Sequence, residues 1–127
     1  MINIVRIDHF VMPCSDVEEI ADFYVKALGV EKIVFDGGRL AIRLGGQKLN
    51  LQPAGGYSGL HAPKHLPGTQ DFCLVSDTPV ADVKRHLEAN GITVIEGPVP
   101  RTGAAGQLSS VYFRDPDGNL VEISNYV

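Results

Sequence analysis

The chain has 127 residues, enough for one domain or for two small halves. With 44% apolar and 20% charged residues it is ordinary globular material. A formal charge of −4 argues against a nucleic-acid partner held by phosphate contacts. No apolar run reaches the roughly 18 residues of a membrane span. The start, Met1 to Arg6, has no basic stretch leading into an apolar signal core. A cytoplasmic location without membrane contact is therefore expected.

Val5 to Met12 alternates around Ile7-Asp8-His9-Phe10-Val11 and predicts a strand that Pro13-Cys14-Ser15 ends. Ser15 with Glu18 three residues on has the capping-box pattern. Val17, Ile20, Ala21, Tyr24, Ala27 and Leu28 follow at helical spacing, and Gly29 stands just past the end. Val30 to Phe35, Arg39 to Leu44 and Lys48 to Gln52 predict three strands separated by Gly-Gly turns. The order is β-α-β-β-β.

Residues 54–69 are rich in glycine and proline and carry His61 and His65. They predict a connection between two modules, residues 1–53 and 70–127. Asp71 to Val75 predicts the next strand. Thr78-Pro79 supplies an N-cap and a first-turn proline. Val80, Val83 and Leu87 mark a helix face, and Asn90-Gly91 closes it. Ile92 to Ile95 predicts a strand, Pro98 to Gly106 a loop, and Leu108 to Phe113 and Asn119 to Ile123 two more strands around the turn Asp115-Pro116-Asp117-Gly118. The second half again reads β-α-β-β-β.

The halves align without a gap over the first strand and helix: His9 falls on Asp71, Phe10 on Phe72, and Gly29 on Gly91. In the closing hairpins Asn50 falls on Glu122. Such a repeat is the most informative feature of the sequence. Four polar residues, His9, Asp71, Asn50 and Glu122, stand at paired positions in otherwise apolar strands. An inward carboxylate such as Glu122 needs a partner or a metal.

The paired modules, the first-strand histidine in Ile7-Asp8-His9-Phe10-Val11 and the closing Asp115-Pro116-Asp117-Gly118-Asn119-Leu120-Val121-Glu122 resemble the vicinal-oxygen-chelate superfamily of glyoxalases, bleomycin-resistance proteins and extradiol dioxygenases. Gly97-Pro98-Val99-Pro100-Arg101-Thr102-Gly103-Ala104 and the ending Glu122-Ile123-Ser124-Asn125-Tyr126 are similar to its single-domain glyoxalase-like subgroup. The resemblance implies an α+β fold: two β-α-β-β-β modules in a cupped eight-stranded mixed sheet with helices outside. It also implies a divalent metal (Mn, Fe, Ni, Co or Zn) held by one residue from each first and each last strand. Carried over, His9 and Glu122 match family ligands. Asp71 stands where many members have histidine, and Asn50 where glyoxalase I has a carboxylate. Gln52, two residues on, shares the face of Asn50 and could substitute.

The implied activity is that of a lyase or isomerase in which the metal stabilises an enediolate or alkoxide of a small oxygen-rich metabolite, with a carboxylate such as Glu122 moving the proton. The alternative is a metal-free binder of small molecules. A ring-cleaving dioxygenase is the third reading, although its two-histidine, one-carboxylate triad is incomplete at the matching positions. Arg101 could hold an anionic substrate by a bidentate contact, and His65 or His61 could hold substrate or ligate. His86 reads as a surface residue and Arg114 as a structural one, and Cys14 and Cys73 read as two buried thiols rather than a disulfide. A homodimer is expected, because exposed edges in small proteins are often paired.

Overall fold

In a computed structural model all 127 residues are described. The chain divides into two compact units, Met1–Pro67 and Gly68–Val127. The first holds β1 (His9–Cys14), α1 (Val17–Leu28), β2 (Lys32–Phe35), β3 (Arg39–Leu44) and β4 (Gln47–Pro53). The second holds β5 (Asp71–Val75), α2 (Val80–Ala89), β6 (Glu96–Thr102), β7 (Gln107–Arg114) and β8 (Leu120–Tyr126). The fold is α+β, two β-α-β-β-β modules. The eight strands are hydrogen-bonded as two mixed sheets of four, ordered β1-β4-β3-β2 and β5-β8-β7-β6.

The internal repeat is reproduced in the registers. β1 runs parallel to β4 with His9 opposite Lys48 and Val11 opposite Asn50. β5 runs parallel to β8 with Asp71 opposite Leu120 and Cys73 opposite Glu122. Asn50 and Glu122 therefore occupy the same place in their respective sheets, as the sequence alignment requires.

Each helix covers one face of its own sheet. In the first unit Ile20, Ala21, Tyr24 and Ala27 of α1 are buried, together with Leu40, Ile42, Leu49 and Leu51 of the sheet. Lys32 Nζ reaches the carboxylates of Asp22 (3.0 Å) and Glu18 (3.4 Å) on α1. This fixes Lys32, and with it the opposite Ile42, on the helix side. In the second unit Val80, Val83 and Leu87 of α2 are buried with Val111, Phe113, Val121 and Ile123. Asn125 belongs to that face: its Oδ1 accepts from Val80 N–H at 2.8 Å, and its Nδ2 donates to the Ser76 and Thr78 carbonyls.

Several boundaries differ from expectation. Val5 to Asp8 is not strand: β1 begins at His9, and the Asp8 carbonyl accepts only a 3.3 Å bond from Lys48 N–H just before it. Pro13 lies inside β1, where an end strand tolerates a missing N–H. The N-cap of α1 is Asp16, not Ser15; Asp16 Oδ1 accepts from Glu19 N–H at 3.1 Å. Thr78 does not cap α2: Pro79 holds that position without a side-chain bond, and Asn125 serves instead.

The largest correction lies between residues 92 and 102. Ile92 to Ile95 is not a strand, since Ile92 N–H closes the end of α2 by donating to the Leu87 carbonyl. Of the stretch read as a loop, Pro98 to Thr102 belongs to β6, the end strand of its sheet, where Pro98 and Pro100 are tolerated, while Gly103 to Gly106 is the loop before β7. The register shifts between Glu96 and Val99. Gly97 stands at that irregularity with φ +110°, and a Cβ there would collide with the Ser110 carbonyl, so only glycine fits.

Candidate functional site

The sheet face opposite α1 carries His9, Asn50 and Gln52, since residues two apart on a strand share a face. His9 is about half-exposed, and its Nδ1 lies 2.8 Å from Asp8 Oδ2. An ionised carboxylate only accepts, so Nδ1 carries the proton and Nε2 keeps its lone pair. That bond, given by His9, holds the Asp8 carboxyl below its ordinary range. Asn50 is 5% exposed, and its Oδ1 is buried with no hydrogen-bond partner. Gln52 is buried too, but its Oε1 is engaged by His65 Nε2 at 2.8 Å. Of the two amides, Asn50 thus has the spare acceptor.

The face opposite α2 carries Glu122, because Val121, Ile123 and Asn125 take the helix side. Across the sheet Glu122 stands opposite Cys73 on β5 and Tyr112 on β7. Glu122 Oε2 accepts from Ser124 Oγ at 3.1 Å. Ser124 Oγ in turn lies 2.6 Å from Ser110 Oγ and 3.2 Å from Cys73 Sγ. Arg101 Nε donates to the Tyr112 hydroxyl at 2.9 Å, and its Nη2 reaches Glu96 at 3.0 Å. Arg101 is thus engaged within the sheet.

Burial pushes the Tyr112 phenol above its ordinary range; Arg101 works against that shift and Glu122 reinforces it. The hydroxyl therefore stays neutral at pH 7. Asp71 lies on the same face, one alternation from Cys73, and is exposed. Glu122 and Asp71 are carboxylates on this face, as is Glu96, which stands opposite Tyr112 and is paired with Arg101. His86 is exposed, as expected; Arg114 is exposed too, and its Nη1 donates to the Gly118 carbonyl within the closing turn.

Tyr112, Ser110, Ser124 and Cys73 escaped the sequence reading. A signal existed for three of them. Once the hairpin turn at Asp115 to Gly118 is fixed, counting outward pairs Tyr112 with Glu122 and Ser110 with Ser124. Cys73 needs the parallel register, which no local pattern announces.

Cys73 gives a direct reading of the charge on this face. Burial raises its thiol above the ordinary value; the Ser124 bond opposes that, and the Glu122 carboxylate adds to the rise. Since the folded value is raised, the thiolate is scarcer than in a free cysteine at pH 8. Cys14 is fully buried as expected, but Cys73, also expected to be buried, is exposed on the face away from α2 and is the accessible thiol. Iodoacetamide labelling of Cys73 at pH 8 should be slower than for a free cysteine, and faster in Glu122→Gln than in wild type. Equal rates in the two proteins would mean that the carboxylate does not act on the thiol.

For a divalent ion the donors are suitable in kind. An imidazole with one nitrogen held by a carboxylate and the other free is a common ligand arrangement. In the first unit the buried orphan amide oxygen of Asn50, and in the second the carboxylates of Glu122 and Asp71, are oxygen donors of the kind that suit Mn²⁺, Fe²⁺, Co²⁺, Ni²⁺ or Zn²⁺. Neither unit by itself gathers three His, Cys, Asp or Glu side chains in a group that could hold an ion.

Comparison with known proteins agrees with this architecture. The Glyoxalase/Bleomycin resistance protein/Dioxygenase superfamily matches residues 6–123, and the chain belongs to that family. It is 43% identical over 125 residues to a glyoxalase domain-containing protein of Mycosarcoma maydis, covering 98% of this chain and 70% of that one. The crystal structure of a virulence protein from Salmonella typhimurium superposes with a TM-score of 0.96 at 43% identity, covering 99% of this chain and all of that one. A lactoylglutathione lyase from Agrobacterium tumefaciens superposes with a TM-score of 0.72 at 26% identity, covering 94% of this chain and 92% of that one.

Proposed function

We propose that the chain is a glyoxalase-type lyase or isomerase that binds one divalent cation, with His9 and Glu122 as its firmest donors and Asn50 and Asp71 as further ones. The observation that carries this reading is the Asn50 side-chain oxygen. It is buried and unpartnered at the repeat position equivalent to Glu122. An orphan buried acceptor costs about 1–3 kcal/mol, and a cation would recover that cost. The Asp8 bond, which leaves His9 Nε2 free, supports the same reading. So does the similarity to a lactoylglutathione lyase.

When bound, the cation would act as a Lewis acid towards adjacent oxygens of a small oxygen-rich metabolite. The chain's own residues would orient that substrate and move the proton. Glu122, positioned by Ser124, would take and return it, while the neutral Tyr112 phenol can donate a hydrogen bond but not act as a base. Gln52 is engaged by His65 and takes no metal in this reading.

A second reading, a metal-free binder of small molecules, is favoured by the neutral amide at Asn50 and by the lack of a three-ligand group within either unit. The readings separate in a melting experiment on tag-free protein stripped with EDTA. Mn²⁺, Ni²⁺ or Zn²⁺ at a hundredfold excess over Kd should stabilise the fold by about 2.7 kcal/mol. The gain should shrink at acid pH, where protons compete for an imidazole ligand. An unchanged melting curve with all three ions would favour the binder. In either reading we expect a homodimer.

A further inference from the structure

The face of the first unit that carries His9 and Asn50 also holds a second, positively charged feature. Lys48 Nζ lies 3.4 Å from the centre of the Phe35 ring, and the Arg39 guanidinium carbon 4.8 Å from that same centre. The two cationic groups are thus at most 8.2 Å apart, the sum of those two distances. Lys48 takes part in none of the chain's ion pairs, and Arg39 meets a carboxylate only at 3.8 Å, from the exposed Asp36. A lysine usually turns its ammonium to water. Here it extends from β4 to a ring at the end of β2, beside a like charge that repels it.

Beside this pair stands a shelf of flat rings. The Arg39 guanidinium is 5.8 Å from the Tyr57 ring. Tyr57 and His65 stack at 6.1 Å with their planes 27° apart, and His61 lies 4.3 Å from His65. The shelf is pinned: His65 Nε2 is bonded to the buried Gln52, and His61 Nδ1 donates to the Ala62 carbonyl at 2.8 Å.

We propose that this patch is a binding site for an oxyanion attached to a flat ring, with Lys48 and Arg39 taking the carboxylate or phosphate and the Tyr57–His65 shelf taking the ring. Two adjacent cations, of which only Arg39 is ion-paired, and that at 3.8 Å to the exposed Asp36, favour an anion, although Asp8 also feels the Lys48 charge; charge-assisted bonds from lysine and arginine are the strong ones. Aromatic and imidazole faces provide stacking area at little entropic cost. The site gives the small-molecule reading a substrate class. It rests on that reading but needs no metal.

The test uses EDTA throughout, so its outcome is separate from the metal experiment. Benzoate, phenyl phosphate, inorganic phosphate and benzyl alcohol are titrated calorimetrically into the full chain. At least one of the two aromatic anions should bind ten or more times more tightly than benzyl alcohol. Which of the two binds tells carboxylate from phosphate. Lys48→Met and Arg39→Met should each reduce that preference at least fivefold. Lys48→Arg should keep it, and so should Lys32→Met on the opposite face. Equal binding of benzyl alcohol and the anions would overturn the site, and so would full anion preference in a folded Lys48→Met protein. Inorganic phosphate binding as tightly as phenyl phosphate would overturn the role of the rings.

Discussion

Replacing Asp115 with alanine should destabilise the protein by about 3–4 kcal/mol. Asp115 is 5% exposed and organises the turn between β7 and β8. Its Oδ1 accepts from the backbone N–H groups of Asp117 and Asn119, both at 3.0 Å, and its Oδ2 from Asn119 Nδ2 at 2.8 Å. Asn119, fully buried, passes the constraint on: its Oδ1 accepts from Gln70 N–H at 2.9 Å. That bond ties the segment leading into β5 to the start of β8.

Alanine would remove three charge-assisted bonds and leave buried donors unpaired, and the unpaired donors are the costlier part. Against a typical total stability of about 5–15 kcal/mol this is a large fraction. Urea denaturation should show a lower midpoint with an unchanged slope. Asp115→Asn keeps the Oδ1 acceptor and should cost distinctly less. A loss below about 1 kcal/mol in Asp115→Ala would mean that the turn holds without its carboxylate.

This turn also shows what was legible in the sequence. Asp-Pro-Asp-Gly announces a tight turn through local chemistry alone, and the structure has it, with Gly118 at φ +87° donating its N–H to the Asp115 carbonyl at 2.9 Å. The role of Asp115 as a buried hub was not legible, because it depends on Asn119 and Gln70 being brought together by β5 and β8. The same division runs through the fold. The order of modules, the helix faces and the pairing of Asn50 with Glu122 follow from periodicity and from the repeat, which register then reproduces.

Where local preference and tertiary context disagreed, context won. Ile92 to Ile95 has strand composition but follows a helix end, while Glu96 to Thr102 carries two prolines and still forms an end strand because its partner β7 supplies the pairing. Within each module, His9 and Asn50 or Asp71 and Glu122 were visible as polar interruptions of apolar strands. That His65 holds Gln52, and that Arg101 is committed to Tyr112 and Glu96, were not, since each is a bond between residues distant in sequence.

The metal proposal makes the other large prediction. His9→Ala removes the only imidazole among the proposed donors, and Glu122→Gln replaces a carboxylate with a weaker neutral ligand. Each should lower affinity for Mn²⁺ or Ni²⁺ by a hundredfold or more. Neither should unfold the protein: His9 is about half-exposed, and glutamine can still accept from Ser124. Asp8→Asn, which leaves the ligand in place but weakens its support, should cost about 10–100-fold.

The measurement is the number of ions bound per chain, taken by elemental analysis after equilibrium dialysis of tag-free protein. About one ion per chain in wild type, lost in both His9→Ala and Glu122→Gln, is the predicted result. An ion retained at full occupancy by either variant, or none bound by wild type, would contradict the account.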